Sequence, residues 1–99
     1  MRYVVVIAHS AEEEFKKFSA RWRSILKLAM RDHLETGPTR LSKSRIKRLR
    51  GLRQPQYRLR VDEMRVFYDV NETKKRVEVL GFVEKTKALQ WLRDHGVPE

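Results

Sequence analysis

Three arginines in a short stretch of alternating residues are the side chains best suited to chemistry. In Tyr57-Arg58-Leu59-Arg60-Val61 basic and apolar residues alternate, so Arg58 and Arg60 leave the same face of a strand. Arg65 follows on a second alternating stretch, after a tight polar turn. A guanidinium group keeps its positive charge, and its N–H groups can donate two parallel hydrogen bonds to one phosphate. If Arg65 faces the same way, three cations converge on one patch.

Such a patch suits the cleavage of RNA without a metal ion. That reaction needs a base for the 2′-hydroxyl, cations for the extra negative charge on the phosphorane, and an acid for the leaving 5′-oxygen. The arginines meet the second need, and Lys85 is a candidate for a further cation or, more weakly, an acid. The alternatives are a solvated sheet face for the arginines and a solvated first helical turn for Lys85.

The other reactive residue types give weaker signals. Cysteine is absent, and His9, His33 and His95 share no spacing, so we expect no metal and no cofactor. Each histidine is expected to be a surface or capping residue. Tyr57 and Tyr68 could stack bases or donate protons, although Tyr68 lies in an apolar strand and fits the core. Trp22 and Trp91 lie on helical stripes, where core packing or contact with a protein partner is the expected role.

The net charge is +10, and the basic residues are unevenly distributed. Residues 36–60 hold nine Lys or Arg and no Asp or Glu. A block of one sign attracts polyanions, so nucleic acid is the leading class of partner. Within this block the candidates for sequence-independent contact with RNA phosphates are Arg45, Lys47, Arg48, Arg50 and Arg53.

The first elements that position these residues are a strand and a helical region. The segment 2–8 is short and rich in β-branched residues, which predicts a strand buried on both faces inside a sheet. Ser10 and Glu13 form a capping-box pattern, so a helix is expected from about Ala11. An amphipathic stripe continues to Ala29, as one helix or as two with a break near Ser19, and ends at Gly37-Pro38.

The second half of the chain predicts a sheet and a final helix. Residues 39–56 are expected to form an ordered basic arm. Residues 57–61, 64–70 and 76–83 predict three antiparallel strands in a meander, and residues 85–95 a helix. The fold class is therefore α+β, in the order β-α-(α)-β-β-β-α, as a single domain over residues 1–99. Neither a signal peptide nor a membrane span is expected, which with the missing cysteine fits the cytoplasm.

The central block of the sequence resembles the RelE/ParE superfamily of toxins from type II toxin–antitoxin systems. The family pattern of basic-Leu-basic-Gly, Tyr-basic-apolar-basic and Arg-aliphatic-aromatic-Tyr is matched by Arg48-Leu49-Arg50-Gly51, Tyr57-Arg58-Leu59-Arg60 and Arg65-Val66-Phe67-Tyr68. The likeness continues through Val77-Glu78-Val79-Leu80 and Ala88-Leu89-Gln90-Trp91-Leu92. It covers nearly the whole chain, and it is more specific for the superfamily than for one activity.

The resemblance implies a toxin that an antitoxin neutralises by wrapping its surface, within a toxin–antitoxin hetero-oligomer. RelE-like members cleave messenger RNA in the ribosomal A site, whereas ParE-like members poison DNA gyrase. Arg58, Arg60 and Arg65 match the basic residues of the RelE-like nucleases on these strands. The basic arm then has a second interpretation, as a site for an acidic antitoxin.

Two positions depart from the nuclease pattern. Where RelE nucleases carry a further arginine and a tyrosine after the last strand, this chain has Val83 and Leu89. The first hypothesis is a metal-independent, ribosome-dependent endoribonuclease that inhibits translation. The alternatives are a ParE-like toxin that inhibits gyrase, which the two departures favour, and a basic nucleic-acid-binding module.

Overall fold

The computed structural model describes residues 2–99, which form one strand, two helices, five successive strands, a third helix and a final short strand. The strands are β1 (Val4–Ile7), β2 (Ile46–Arg48), β3 (Leu52–Gln54), β4 (Tyr57–Val61), β5 (Met64–Asn71), β6 (Arg76–Glu84) and β7 (Val97–Pro98). The helices are α1 (His9–Lys17), α2 (Ala20–Ala29) and α3 (Ala88–His95). A π-helical turn, Met30–Leu34, extends α2, and a 3-10 turn, Lys85–Lys87, precedes α3.

Five strands make the main sheet, in the order β1-β6-β5-β4-β2. The meander of β4, β5 and β6 is antiparallel, as predicted. After α2 the chain forms β2, which pairs antiparallel with β4 at one edge of the sheet. Strand β1 lies at the other edge and pairs with β6 in parallel. The predicted α+β class is confirmed, and the added strands β2, β3 and β7 are those that the hydrophobic pattern did not reveal.

Strand β1 lies at an edge of the sheet, so the prediction of a central strand buried on both faces is wrong. Among the described strands its one partner is β6. Val5 and Ile7 pack against the core, whereas Val4 and Val6 remain 63% and 38% exposed. A continuous run of β-branched residues is typical of a central parallel strand, and the same run here occupies a solvated edge.

The amphipathic stripe divides into two helices. Ser19 is the N-cap of α2, and its hydroxyl oxygen accepts a hydrogen bond from Trp22 N at 3.2 Å. Helix α1 begins at His9 with Ala8 as an N-cap that offers no side-chain hydrogen bond. The capping box predicted from Ser10 and Glu13 is therefore wrong, because Ser10 already lies inside the first turn.

The helices cover one face of the sheet, and the core lies between them. Apolar side chains of α1, α2 and the π-helical turn meet alternate residues of the strands in one cluster. Its fully buried members include Leu26, Leu34, Leu59, Val66, Tyr68, Val77 and Val79. The Tyr68 hydroxyl donates to Pro38 O at 2.6 Å, which ties the chain after the helices to the middle of the sheet.

The basic arm and the C-terminal residues are held together by strand pairing. After a turn in which Gly51 takes a positive φ of 78°, β3 pairs with β7 in a second, two-stranded sheet. The Asp69 carboxylate accepts from Gln56 N at 2.8 Å and from Gln54 Nε2 at 2.7 Å. The arm is thus ordered, and it is bound to both β5 and the chain end.

Helix α3 packs on the sheet face opposite to α1 and α2. Trp91 stacks on Phe67, with ring centroids 4.9 Å apart and planes 9° from parallel. The indole occupies the space above Gly81, where a Cβ would come within 2.7 Å of Trp91 Cε2. A side chain at residue 81 and this placement of α3 therefore exclude each other.

We predict that Gly81→Ala lowers the free energy of unfolding by about 1–3 kcal/mol, because the added methyl group must displace a packed indole. Urea unfolding measures the change. Gly37→Ala is the matched control, since a Cβ there meets Arg40 Cβ at an ordinary 3.5 Å. Equal stability of Gly81→Ala and the wild type would show that α3 does not rest on Gly81.

Candidate nucleic-acid interface

The register of the strands brings the three arginines to one face. Arg60 and Arg65 are direct cross-strand partners, and Arg58 lies opposite Phe67. Residues two apart on a strand share a face. Arg58, Arg60 and Arg65 therefore all project from the face of the sheet that is opposite to α1 and α2. Lys47 on β2 lies opposite Arg58 and joins them. We call these four residues the cation ladder.

Arg58 is the least solvated member of the ladder. Its Nε is buried without a hydrogen-bond partner among residues 2–99. Burial lowers the pKa of Arg58, and the charges of Arg65 and Arg60 lower it further. A buried donor without an acceptor costs about 1–3 kcal/mol, and neighbouring charges of the same sign add repulsion. An anion at the terminal nitrogens of these side chains would relieve the repulsion.

Within the described part of the chain no carboxylate forms an ion pair with the ladder. The ion pairs found among residues 2–99 involve none of its four members. Arg65 donates from Nη1 to Asp62 O and Met64 O, both at 2.9 Å, which fixes its guanidinium beside the turn. Arg60 is exposed. The patch is therefore charged, partly ordered and free to take an external anion.

The remaining basic residues of the arm lie elsewhere. Arg48 stacks over the Tyr57 ring at 5.3 Å, and its Nη1 donates to Gln56 O at 2.8 Å, so it fastens the arm. Arg45 acts electrostatically on His33. Arg50 lies at the β2–β3 turn and Arg53 is exposed on β3. Of the five RNA-contact candidates only Lys47 belongs to the ladder.

Lys85 already has a partner. Its Nζ lies 3.2 Å from Glu63 Oε2 at the tip of the β4–β5 hairpin, and both side chains are largely exposed. An exposed pair of this kind contributes little to stability. It nevertheless neutralises the cation that the sequence offered as a supplement to the arginines.

The two departures from the nuclease pattern have structural consequences. Val83 is the cross-strand partner of Arg65 and is 8% exposed, so the position beside Arg65 is apolar. Leu89 is 64% exposed on α3. Neither position supplies a charge or a proton donor.

An aromatic column next to the ladder was missed from the sequence. Phe67, beside Arg58, stacks on Trp91, and Trp91 stacks on His95 with centroids 4.7 Å apart. The spacing of Trp91 and His95, four residues apart on a helix, was the available signal. Gly81 was the second, because a glycine in a strand marks close approach by another group.

The tyrosines lie on the other face of the sheet. Tyr57 stacks on Tyr68 with centroids 5.5 Å apart, and burial raises the pKa of the Tyr68 hydroxyl. Tyr68 belongs to the core, as its strand position predicted. Because the sheet separates both rings from the ladder, they are not placed to stack bases or transfer protons there.

Residues 2–99 include neither a cluster of metal ligands nor a helix suited to crossing a membrane. Within this range no three side chains from His, Cys, Asp and Glu come together in an arrangement suited to a metal ion. None of the described helices has the length and apolar character needed to cross a membrane.

The fold is similar to those of solved toxins. The match to a chain of the archaeal RelE–RelB complex from Pyrococcus horikoshii OT3 has 27% identity and a TM-score of 0.68, and covers 86% of this chain and 97% of that one. A variant of E. coli toxin RelE in the free state matches with 23% identity, a TM-score of 0.69 and 92% coverage of each chain. A chain of the RelBE2 toxin–antitoxin complex from Mycobacterium tuberculosis matches with 19% identity, a TM-score of 0.67 and coverage of 85% and 99%. Comparisons with protein-family models and with curated proteins found no match.

We predict that Arg58→Met stabilises the protein by about 1 kcal/mol, because the change removes an unpartnered buried donor and a like charge from the ladder. The same variant loses the thermal stabilisation that a polyanion such as heparin gives to the wild type. Thermal unfolding with and without heparin measures both effects. Arg53→Met is the control for the loss of one positive charge. A marked loss of stability in Arg58→Met would mean that Arg58 is a structural residue.

Proposed function

The chain has the fold of the RelE-like toxins of toxin–antitoxin pairs, and from this premise we propose that it cleaves messenger RNA on the ribosome and thereby inhibits translation. The reaction is a transesterification that uses no metal ion. The 2′-hydroxyl gives up its proton to solvent water as its oxygen attacks the adjacent phosphorus, and the bond from phosphorus to the 5′-oxygen breaks. A 2′,3′-cyclic phosphate and a 5′-hydroxyl are the products.

The observation that carries the proposal is the unbalanced ladder around Arg58. Negative charge grows on the phosphoryl oxygens as the 2′-oxygen attacks, and preorganised cations stabilise that charge most where water is excluded. Arg58 is partly desolvated, and within residues 2–99 its Nε has no hydrogen-bond partner. Arg60 and Arg65 flank it from the same strand and the next. Three guanidinium groups therefore surround one phosphate in this proposal.

Arg65 also orients the patch. Because its Nη1 is held by two backbone carbonyls of the hairpin turn, the rest of its fork points in a direction that the turn sets. A fixed donor loses less entropy on binding than a free one. Arg65 thus positions the phosphate, and the exposed Arg60 closes over it.

Proton transfer is the less complete part of the proposed site. Lys85 is the side chain proposed to protonate the leaving 5′-oxygen. Its ammonium lies 3.2 Å from the Glu63 carboxylate, so it reaches RNA only when that pair opens. With positioning and electrostatics intact but proton transfer weak, we expect slower cleavage than a full set of acid and base groups would give.

The partner that restrains the toxin is proposed to be an acidic antitoxin. Solved structures with this fold include RelE in complexes with RelB antitoxins. An acidic segment on the cation ladder would neutralise it as RNA does and would exclude RNA from it. The proposed location of this hetero-oligomer is the cytoplasm.

A second candidate is a toxin of the same fold that inhibits DNA gyrase. The apolar Val83 beside Arg65 and the exposed Leu89 favour it, because neither position can take part in proton transfer. In that case the ladder would serve antitoxin binding alone.

We predict that Arg60→Ala abolishes growth arrest upon induced expression, because the loss of one stabilising cation slows cleavage by roughly 100-fold or more. Incorporation of labelled methionine and thymidine, followed in parallel, is the measurement. The wild type should stop methionine incorporation first. Arg60 is exposed, so its truncation leaves the fold intact.

Arg53→Ala is the matched control, since it removes an exposed arginine outside the ladder and should leave toxicity unchanged. Early loss of thymidine incorporation in the wild type would support gyrase as the target. Full toxicity of Arg60→Ala, with methionine incorporation still lost first, would remove the ladder from the mechanism.

A further inference from the structure

A second basic site lies at the β2 edge of the sheet, apart from the cation ladder. It is an open cavity of about 370 Å³ between the π-helical turn and the loop that leads to β2. His33, Arg40, Ser42 and Arg45 are among the residues that line it. Neither Arg40 nor Arg45 has an ion-pair partner among the described residues, 2–99.

The donors of this cavity are arranged for an anion. Ser42 Oγ accepts from Arg45 N at 2.9 Å and from Ile46 N at 3.2 Å. Because its acceptor capacity is used by the backbone, its O–H remains to donate. The acidic residue of the lining is Asp32, which lies 3.5 Å from Arg31 Nε. Two guanidinium groups, a hydroxyl and an imidazole therefore face the cavity with one carboxylate that is already paired.

We infer that this cavity binds a backbone phosphate of single-stranded RNA, as a second subsite beside the proposed site of cleavage. The inference rests on the proposed function for the identity of the polyanion. The subsite holds the strand by charge and carries no sequence information.

The path between the two sites follows the β2 edge. Arg45 O accepts from Arg60 N at 2.8 Å, so the backbone that carries Arg45 is joined directly to that of the ladder. Lys47, two residues further on, lies opposite Arg58. A strand that passes from Arg58 over Lys47 to Arg45 therefore meets cations throughout.

His33 makes the subsite sensitive to pH. Burial lowers the pKa of His33, and Arg45 lowers it further against the opposing effect of Asp32. Arg40 lines the same cavity. The imidazole is thus neutral in the free protein at pH 7, and a bound phosphate favours its protonated form. Affinity for RNA should rise as the pH falls through the titration of His33.

The test uses uncleavable 2′-O-methyl RNA, as a dinucleotide and as a strand of about eight nucleotides, with binding followed by fluorescence anisotropy. For Arg40→Ala we expect about a tenfold loss of affinity for the longer strand and a salt dependence shallower by about 0.7 in logarithmic slope. Dinucleotide binding should change little, because its single phosphate prefers the ladder, where four cations converge. His33→Gln should remove the gain in affinity at low pH.

Lys43→Ala is the matched control, since Lys43 lies in the same loop but does not line the cavity. Equal losses for Lys43→Ala and Arg40→Ala, or no loss for Arg40→Ala, would overturn the subsite. The dinucleotide tests the proposed function separately. If it fails to bind the wild type while the longer strand still depends on Arg40, the cleavage site is wrong and the subsite stands.

Discussion

The register of the β4–β5 hairpin is the constraint on which both faces of the sheet depend. Side chains alternate along a strand, so a shift of one residue would exchange the two faces. The two-residue turn at Asp62 and Glu63, with Asp62 at a positive φ of 51°, sets the pairing of Arg60 with Arg65. The same pairing places Leu59 opposite Val66 in the core. The hydrophobic core and the cation ladder are thus two results of one register, and core burial holds the mutually repelling arginines together.

The second constraint is the closure of the ladder face by the end of the chain. Trp91 covers Gly81 and stacks on Phe67, while β7 pairs with β3 of the basic arm. Asp69, through both carboxylate oxygens, binds the arm to β5. These contacts bury the apolar part of the face and leave Arg60 exposed, with Arg58 and Arg65 partly exposed beside it. They also direct Arg48, Arg50 and Arg53 of the arm away from the ladder, whereas Lys47 belongs to it.

Much of the fold could be predicted from the sequence, because the spacing of apolar residues along the chain indicates which side chains are buried. The alternation in residues 57–61 predicted β4 and the shared direction of its arginines, and the apolar spacing predicted the helices. Strands β2, β3 and β7 have two or three residues each, too few for a period to emerge. The edge position of β1 depends on which strands pair, and Ser10 lost its predicted role to a helix that began two residues earlier. The unpartnered Arg58 Nε and the His33 cavity depend on tertiary packing that no local pattern encodes.

The proposed function depends most on Arg58 as an anion-binding residue of the cation ladder, with the terminal nitrogens of its guanidinium in reach of RNA. Nitrogen-15 NMR of arginine side chains, during titration with the 2′-O-methyl dinucleotide, tests it directly. We predict that the Arg58 Nε–H resonance shifts and saturates with the binding curve, because a phosphate bound at the terminal nitrogens changes the charge around the guanidinium, while the resonance of Arg53 stays in place. Saturable binding with an unchanged Arg58 resonance would contradict the account and place the phosphate elsewhere.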